Sequence, residues 1–160
     1  MTASYNFDPV VRDKAGRRME GVRVEITRGE ADAFRAVNES GQEVQIEEVS
    51  LTQLHYPMDT PFWAEGYNML SMYGGTLAEP RLTGTVSDRD HYRMPQTEGA
   101  FTVYNVLQLN LSEGFDLYAF TTCRRFRGEF RLYADRVEVV QVLEGITLQP
   151  GETVELEEFL

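Results

Sequence analysis

The amino-acid sequence predicts an all-β protein built as an antiparallel sandwich of two sheets. Apolar and polar residues alternate with a period of two along most of the chain, which is typical of strands that bury one face. Turn-forming residues separate these segments at short intervals, and helical spacing is weak throughout. Roughly nine or ten short strands joined by turns favour two packed antiparallel sheets.

The strands of the first third follow from this alternation. In residues 22–27 the apolar side chains of Val22, Val24 and Ile26 alternate with polar ones, which predicts a half-buried strand. A second strand is predicted near residues 34–37, and a third covers 44–54. Because Asn38-Glu39-Ser40-Gly41 lies between these two strands, its turn chemistry predicts that they form a hairpin.

The later strands follow the same pattern and are separated by turns. They are predicted at residues 101–111, 115–122, 130–133, 137–143 and 153–160, with turns at 112–114 and 134–135. By contrast, residues 57–95 are rich in proline, glycine and aromatic residues and show little regular patterning. A long irregular stretch in a compact domain more often carries function than not.

The length of 160 residues is that of a single domain, which we predict to span residues 1–160. The last segment reads as a strand that stops at Leu160 without a polar tail. We therefore expect either the amino-terminal part of a longer chain or, as the alternative, a docked terminal strand.

The composition excludes several functional classes. Asp and Glu outnumber Lys and Arg by 26 to 15, and a net charge of −11 repels nucleic acid while leaving neutral partners such as sugars possible. The mean hydropathy is −0.37, and no apolar run is long enough to span a membrane. The single cysteine, Cys123, forms neither an internal disulfide nor a CxxC zinc site. These features, with a start that shows no secretory signal, lead us to expect a cytoplasmic protein without a cofactor.

Residues 62–68 carry the densest cluster of side chains suited to sugar recognition. Trp63 and Tyr67 offer ring faces for C–H surfaces, and Glu65 offers a hydrogen-bonding partner for hydroxyl groups. We expect Phe62 to lie in the core, whereas Trp63 suits a core position and a ligand contact equally.

A second candidate segment runs from Ser87 to Tyr92. His91 and Tyr92 are candidate ligand contacts, while Asp90 or Asp88 is expected to hydrogen-bond nearby backbone. The segment lacks the glycine and the distal glutamate of a calcium-binding loop, so no metal site is predicted. The basic residues near Cys123 are expected to pair with the many acidic side chains of the chain.

Five segments in order resemble one enzyme family: PFWAEGYNMLSMYGGTL, DRDHYRMP, FTVYNVLQL, FTTCRRFRGEF and EGITLQPGETVELEEF. Together they are similar to the amino-terminal β-domain of bacterial α-galactosidase-like glycoside hydrolases, the clan of melibiases and raffinose synthases. In that family a supersandwich, related in shape to galactose mutarotase, precedes a catalytic (β/α)8 barrel. The resemblance covers about the last hundred residues, and the chain is shorter than the family's usual β-domain.

The resemblance implies a non-catalytic module that supports a barrel absent from this chain. In the family, the catalytic carboxylates lie in the barrel, and an aromatic residue of the β-domain lines the sugar subsite. Trp63 matches that role best, followed by Glu65, His91 and Tyr92. Two alternatives remain open, a free-standing carbohydrate-binding or scaffold protein and a small hydrolase using Glu65, Asp88, Asp90 and His91. The sugar and the oligomeric state stay open too.

Overall fold

The computed structural model describes residues 6–68 and 70–160, and the regular secondary structure of this part is almost entirely β-strand. Every strand pair whose register is defined is antiparallel, which confirms the predicted all-β, antiparallel class. The strands and the single short helix are β1 (Val10–Arg12), β2 (Val22–Thr27), β3 (Ala33–Asn38), β4 (Val44–Leu54), β5 (Pro61–Glu65), β6 (Met72–Thr76), β7 (Pro80–Leu82), α1 (Asp88–His91), β8 (Phe101–Leu111), β9 (Gly114–Ala119), β10 (Arg127–Leu132), β11 (Val137–Leu148) and β12 (Thr153–Glu155).

The described residues fall into two compact units, and β4, β10 and β11 contribute residues to both. The first unit contains residues 53–68, 70–119 and 129–139. The second unit contains residues 6–52, 120–128 and 140–160. The prediction of one domain over residues 1–160 stays a prediction.

The first unit is one antiparallel sheet in the order β11-β10-β8-β5-β6-β7, with β9 also paired to β8. One edge of β8 pairs with β10 through residues 101–104 and with β9 through residues 106–111. Between these two pairings lies Asn105, whose φ of 59° is a left-handed conformation that Asn adopts more readily than most residues. The register of β8 with β5 also shifts here, beside Glu65. Asn105 therefore marks the point where β8 changes partners.

The core of the first unit follows from the alternation of its strands. On β5, Phe62 and Ala64 are buried while Trp63 lies half-exposed on the opposite face. On β8, Leu107 and Leu109 are fully buried. The prediction that Phe62 belongs to the core is confirmed.

The second unit contains strands of both sheets, β1-β4-β11 in one and β12-β3-β2 in the other. Its fully buried side chains include Phe34, Ile46 and Phe159. Phe7 adds an edge-to-face contact to the Phe34 ring, with 4.8 Å between the ring centroids. Two antiparallel sheets with this apolar core confirm the two-sheet sandwich class.

The predicted hairpin between β3 and β4 is wrong, because the two strands belong to different sheets. β3 is flanked by β2 and β12, and the turn after it carries the chain into the sheet of β4. The buried Asn38 stabilises this passage, since its side-chain amide donates to the carbonyl oxygens of Gln42 (2.7 Å) and Leu148 (3.0 Å). Turn residues specify where a chain reverses, not which strand becomes the neighbour.

The stretch 57–95 is more regular than its sequence indicates, because it contains β5, β6, β7 and α1. These elements have three to five residues each, which is too short for a period to stand out. Over residues 6–68 and 70–160, no helix has the length and apolar character needed to cross a membrane.

Candidate functional site

Helix α1 is a single turn that Ser87 and Asp88 hold in place. Ser87 has the extended backbone of an N-cap residue, and its hydroxyl oxygen accepts from the N–H of Asp90 at 3.4 Å. At the other end, the N–H of Tyr92 donates to the carbonyl oxygen of Asp88 at 3.0 Å. Asp88 is only 2% exposed, whereas His91 and Tyr92 lie at the surface. The helical turn therefore buries Asp88 at its start and exposes His91 and Tyr92 at its end to solvent.

The buried carboxylate of Asp88 ties α1 to two distant parts of the first unit. Its Oδ2 accepts from the backbone N–H of Tyr67 and from the hydroxyl of Tyr73, each at 2.9 Å. Burial, together with the neighbouring Asp88 carboxylate, raises the pKa of Tyr73 to about 12 despite an opposing hydrogen bond from the N–H of Asp88. Tyr73 therefore keeps its donor proton at neutral pH. The hydrogen bonds of Asp88 fix the position of α1 against the chain segment that carries Tyr67.

A glycine is required at position 66 because the backbone there lies very close to Asp88 and Ser71. A Cβ atom at this position would lie 2.6 Å from Asp88 Oδ2 and would overlap Ser71. The N–H of Gly66 also donates to the carbonyl oxygen of Ser71, which closes the loop. Any larger residue at Gly66 would push the loop away from α1.

Three of the residues singled out from the sequence meet at this place, and we call Tyr67, His91 and Tyr92 the Tyr67 cluster. The ring centroids of His91 and Tyr92 are 4.6 Å apart, and those of Tyr67 and Tyr92 are 5.9 Å apart. Tyr67 also packs edge-to-face on the buried ring of Tyr104 at 5.8 Å, and the side-chain amide of Asn68 donates to the Tyr92 hydroxyl. Tyr67 is 49% exposed and Tyr92 37% exposed, so ring faces with polar edges remain open to solvent.

Trp63 and Glu65 lie on β5 and share the outward face of its alternation. Trp63 is 38% exposed, and its partners across the sheet are Gly74 on β6 and Gln108 on β8. Within the described residues, no ring contact joins Trp63 to the Tyr67 cluster. The structure thus brings together three of the five candidate residues and leaves the other two on the β5 face.

Comparisons with known proteins give no family for this chain. No protein-family model matches it, and no curated protein matches it significantly. Over residues 6–68 and 70–160, no group of three or more His, Cys, Asp or Glu side chains is placed to hold a metal ion.

The sequence prediction missed Asp88 as the anchor of the site. Asp88 was expected to bond nearby backbone, but its backbone donor is Tyr67, 21 residues away along the chain. Tyr73 was not singled out, and Asn68 was noted only as the amide of the cluster at residues 62–68. A signal for α1 was present in Ser87-Asp88-Arg89-Asp90, because an N-cap serine followed by acidic residues is typical of a helix start.

A second buried carboxylate, Glu157, organises the loop around Cys123 in the second unit. Its two oxygens accept from the Thr122 hydroxyl (2.6 Å) and from the N–H groups of Arg124, Arg125 and Phe126 (2.8 to 2.9 Å). Arg124 and Arg127 pair with acidic residues as predicted, since Arg127 lies 3.1 Å from Glu144 and Arg124 lies 3.8 Å from Glu158. Glu157 therefore has a structural role.

Proposed function

We propose that this chain is a non-catalytic β-sandwich module of an α-galactosidase-like glycoside hydrolase. In this proposal, the module supports a separate catalytic barrel, and its Tyr67 cluster contributes a sugar contact. The order of the five motifs along the sequence supports the family, including its supersandwich type. One observation supports the sugar contact. The exposed aromatic side chains of Tyr67, His91 and Tyr92 meet at one place, and the buried Asp88 holds Tyr67 and α1 there.

The chemistry of the Tyr67 cluster suits a sugar. Tyrosine rings pack on the C–H faces of a pyranose, and their hydroxyl groups exchange hydrogen bonds with its hydroxyls. Asp88 anchors the backbone of Tyr67 through a part-buried hydrogen bond, so less conformational entropy is lost when a ligand binds. The strongly negative net charge of the chain disfavours phosphorylated or acidic ligands and leaves neutral glycosides.

The same cluster is a poor catalyst of glycoside hydrolysis, which supports assigning the chemistry to a barrel. That reaction needs two carboxyl groups that flank the scissile bond. The Tyr67 cluster offers one imidazole and two phenols, and the carboxylate of Asp88 beneath it is buried with Oδ2 bound to two donors. We expect the isolated chain to leave an aryl α-galactoside intact. Robust turnover by this chain alone would overturn the non-catalytic assignment.

The sugar contact is tested by titrating the chain with methyl α-galactoside and following the backbone amide signals of the chain by NMR. We expect saturable shifts that disappear when Tyr67 and Tyr92 are both changed to Ala. Phe115→Ala serves as the control, because Phe115 on β9 is also an exposed aromatic side chain but is not one of the candidate ligand contacts. Shifts that survive the double variant would contradict the sugar-contact role.

A free-standing carbohydrate-binding protein is the second candidate. It is favoured by one observation, namely that the rings of the Tyr67 cluster and their anchor Asp88 all belong to the first unit of this chain. The two candidates differ in affinity. Submillimolar binding by the isolated chain indicates a complete site and a free-standing binder, whereas weak binding that strengthens with a barrel partner indicates a module.

A further inference from the structure

Strand β2 is an edge of the sheet β12-β3-β2 in the second unit, and within the described residues β3 is its only strand partner. It has six residues, contains neither proline nor lysine, and keeps a continuous register with β3. Proline, lysine and bulges are means by which natural edge strands avoid pairing with another chain. Since β2 has none of them, its outer edge can receive a further strand.

The hydrogen bonds of β3 show which backbone groups of β2 face this outer edge. The carbonyl oxygens of Phe34 and Asn38 on β3 accept from N–H groups of residues 151–156, the segment that contains β12. In an antiparallel strand, the backbone groups of successive residues point alternately to the two sides. Residues 33, 35 and 37 therefore bond toward β2, where their register partners are residues 27, 25 and 23.

The outward groups of β2 consequently belong to Val22, Val24 and Ile26. Within residues 6–68 and 70–160, no backbone hydrogen bond joins these groups to a loop or turn. The edge thus carries a row of alternating N–H donors and C=O acceptors, which is the template on which another strand pairs.

The side chains of β2 form a self-complementary pattern around Val24. Val22, Val24 and Ile26 lie on the face toward the core, opposite buried residues of β3, and the last two are only half-buried. Arg23 and Glu25 lie on the other face, with 49% and 30% of their side chains exposed. Reversing the strand exchanges the positive and the negative position and leaves the apolar positions apolar.

We propose that β2 pairs antiparallel with β2 of a second copy of this chain, across a two-fold axis at Val24. In this register each Arg23 lies opposite Glu25 of the other copy, and each Val22 lies opposite Ile26. The residues with outward backbone groups become the hydrogen-bonded pairs, which gives about six bonds between the copies. The Arg–Glu pairs are the non-hydrogen-bonded ones, whose side chains approach more closely.

Charge complementarity selects both this register and this partner. An axis at Glu25 or at Arg23 places like charges directly opposite each other and leaves about four backbone bonds. Arg23 also bonds Glu25 of its own strand at 2.8 Å, so the pairing extends an existing row of alternating charges. The self-complementary order of the charges is the reason why a second copy fits this edge.

The expected dimer is weak and reversible. One six-residue edge is small beside the roughly 800 Å² that each partner buries in a stable complex, and each copy carries a net charge of −11. We expect a dissociation constant of about 0.1–1 mM. This interface lies in the second unit and does not rest on the proposed function.

The first test follows sedimentation and amide hydrogen exchange of the parent chain between about 0.05 and 1 mM. Sedimentation should show a reversible monomer–dimer equilibrium. Exchange of the amides of Val22, Val24 and Ile26 should slow by about two- to threefold over this range, as the dimer fraction rises by mass action. The amides of Arg23 and Glu25 are the internal control, because they bond to β3 in the monomer.

The second test exchanges the charges of the edge. Arg23→Glu and Glu25→Arg each place like charges opposite in the homodimer, so each should weaken self-association by about tenfold. An equimolar mixture should associate again, because every Glu of one variant then lies opposite an Arg of the other. Arg17→Glu and Glu20→Arg make the same charge changes at exposed positions outside β2, and mixing them should give no such recovery.

Three results would overturn the proposal. One is a parent chain that stays monomeric at 1 mM. Another is association that leaves exchange at Val22, Val24 and Ile26 unchanged, which places the interface elsewhere. The third is a mixture of Arg23→Glu and Glu25→Arg that associates no better than either variant alone, while circular dichroism shows both to be folded.

Discussion

Replacing Glu157 by Gln is the change for which the structure makes the sharpest stability prediction. The Glu157 side chain is 2% exposed, and its two oxygens accept four hydrogen bonds. Gln keeps one acceptor oxygen and places an NH2 group where the second oxygen stood. The Thr122 hydroxyl can reverse its role and accept from that NH2 group, but the N–H of Arg124 cannot.

The expected loss in the free energy of unfolding follows from the donors that bind the Glu157 carboxylate. One orphaned backbone N–H costs about 1–3 kcal/mol, and the hydrogen bonds that remain lose the extra strength that a carboxylate confers. We therefore expect Glu157→Gln to lower the free energy of unfolding by about 2–4 kcal/mol. With a urea m-value of about 2 kcal/mol/M, the midpoint falls by about 1–2 M.

The assay is urea unfolding combined with hydrogen exchange of the amides of Arg124, Arg125 and Phe126. Glu158→Gln is the matched control, because the neighbouring carboxylate is more exposed and lies 3.8 Å from the guanidinium of Arg124. Surface pairs of this kind contribute about 0–1 kcal/mol. If Glu157→Gln costs no more than Glu158→Gln, or if the three amides keep their protection, the structural role of Glu157 is refuted.

The carboxylate of Glu157 makes the stability difference between the parent chain and Glu157→Gln depend on pH. Burial raises the pKa of Glu157, but the hydrogen bonds from Thr122 and from three backbone N–H groups outweigh burial and hold the pKa below its ordinary value of 4.5. A lowered pKa in the folded state contributes stability that is complete above pH 4.5 and is lost as the pH falls through the folded-state value. The stability gap between the parent chain and Glu157→Gln should therefore stay constant from neutral pH to about 5 and narrow below it. A gap that widens on acidification would contradict this sign.

Two further substitutions and one quenching measurement test the fold. Leu109→Ala should lower the free energy of unfolding by about 2–5 kcal/mol because Leu109 is fully buried. Gln108→Ala, on the opposite face of β8, should lower it only a little. Equal losses of the two variants in urea unfolding would contradict the alternation of β8. Gly128→Ala should lower the melting temperature, since a Cβ atom there would overlap the Phe120 ring, and an unchanged value would show that the ring moves freely. Acrylamide should quench the fluorescence of Trp63 in the native chain because this side chain is 38% exposed, and a protected emission would place Trp63 in the core.

Much of the fold was predictable because a half-buried strand repeats every two residues. The predicted strand at 101–111 coincides with β8, and the strands near 22–27 and 137–143 coincide with β2 and the first part of β11. These are long or strongly alternating segments, where burial of one face determines the pattern. The short strands β5 to β7 gave too few repeats to be predicted.

The candidate site was predictable only in part. Aromatic and polar residue types pointed to Tyr67, His91 and Tyr92, but a residue type carries no information about which side chains meet. The serine and acidic residues of 87–90 indicate the start of α1, but nothing in the sequence shows that Asp88 is the buried centre of the site.

The pattern of apolar residues was sufficient to predict the fold class and the inward-facing residues of each strand, because both depend on local spacing. Strand pairing and the site depend on contacts between residues far apart in the chain, so only the folded structure decided them. The turn at Asn38 leads to a different sheet because β2 and β12 already occupy both edges of β3. Asp88 meets Tyr73 and Tyr67, 15 and 21 residues away, because packing brings α1 against β6 and leaves one oxygen of its carboxylate without a partner from the described chain.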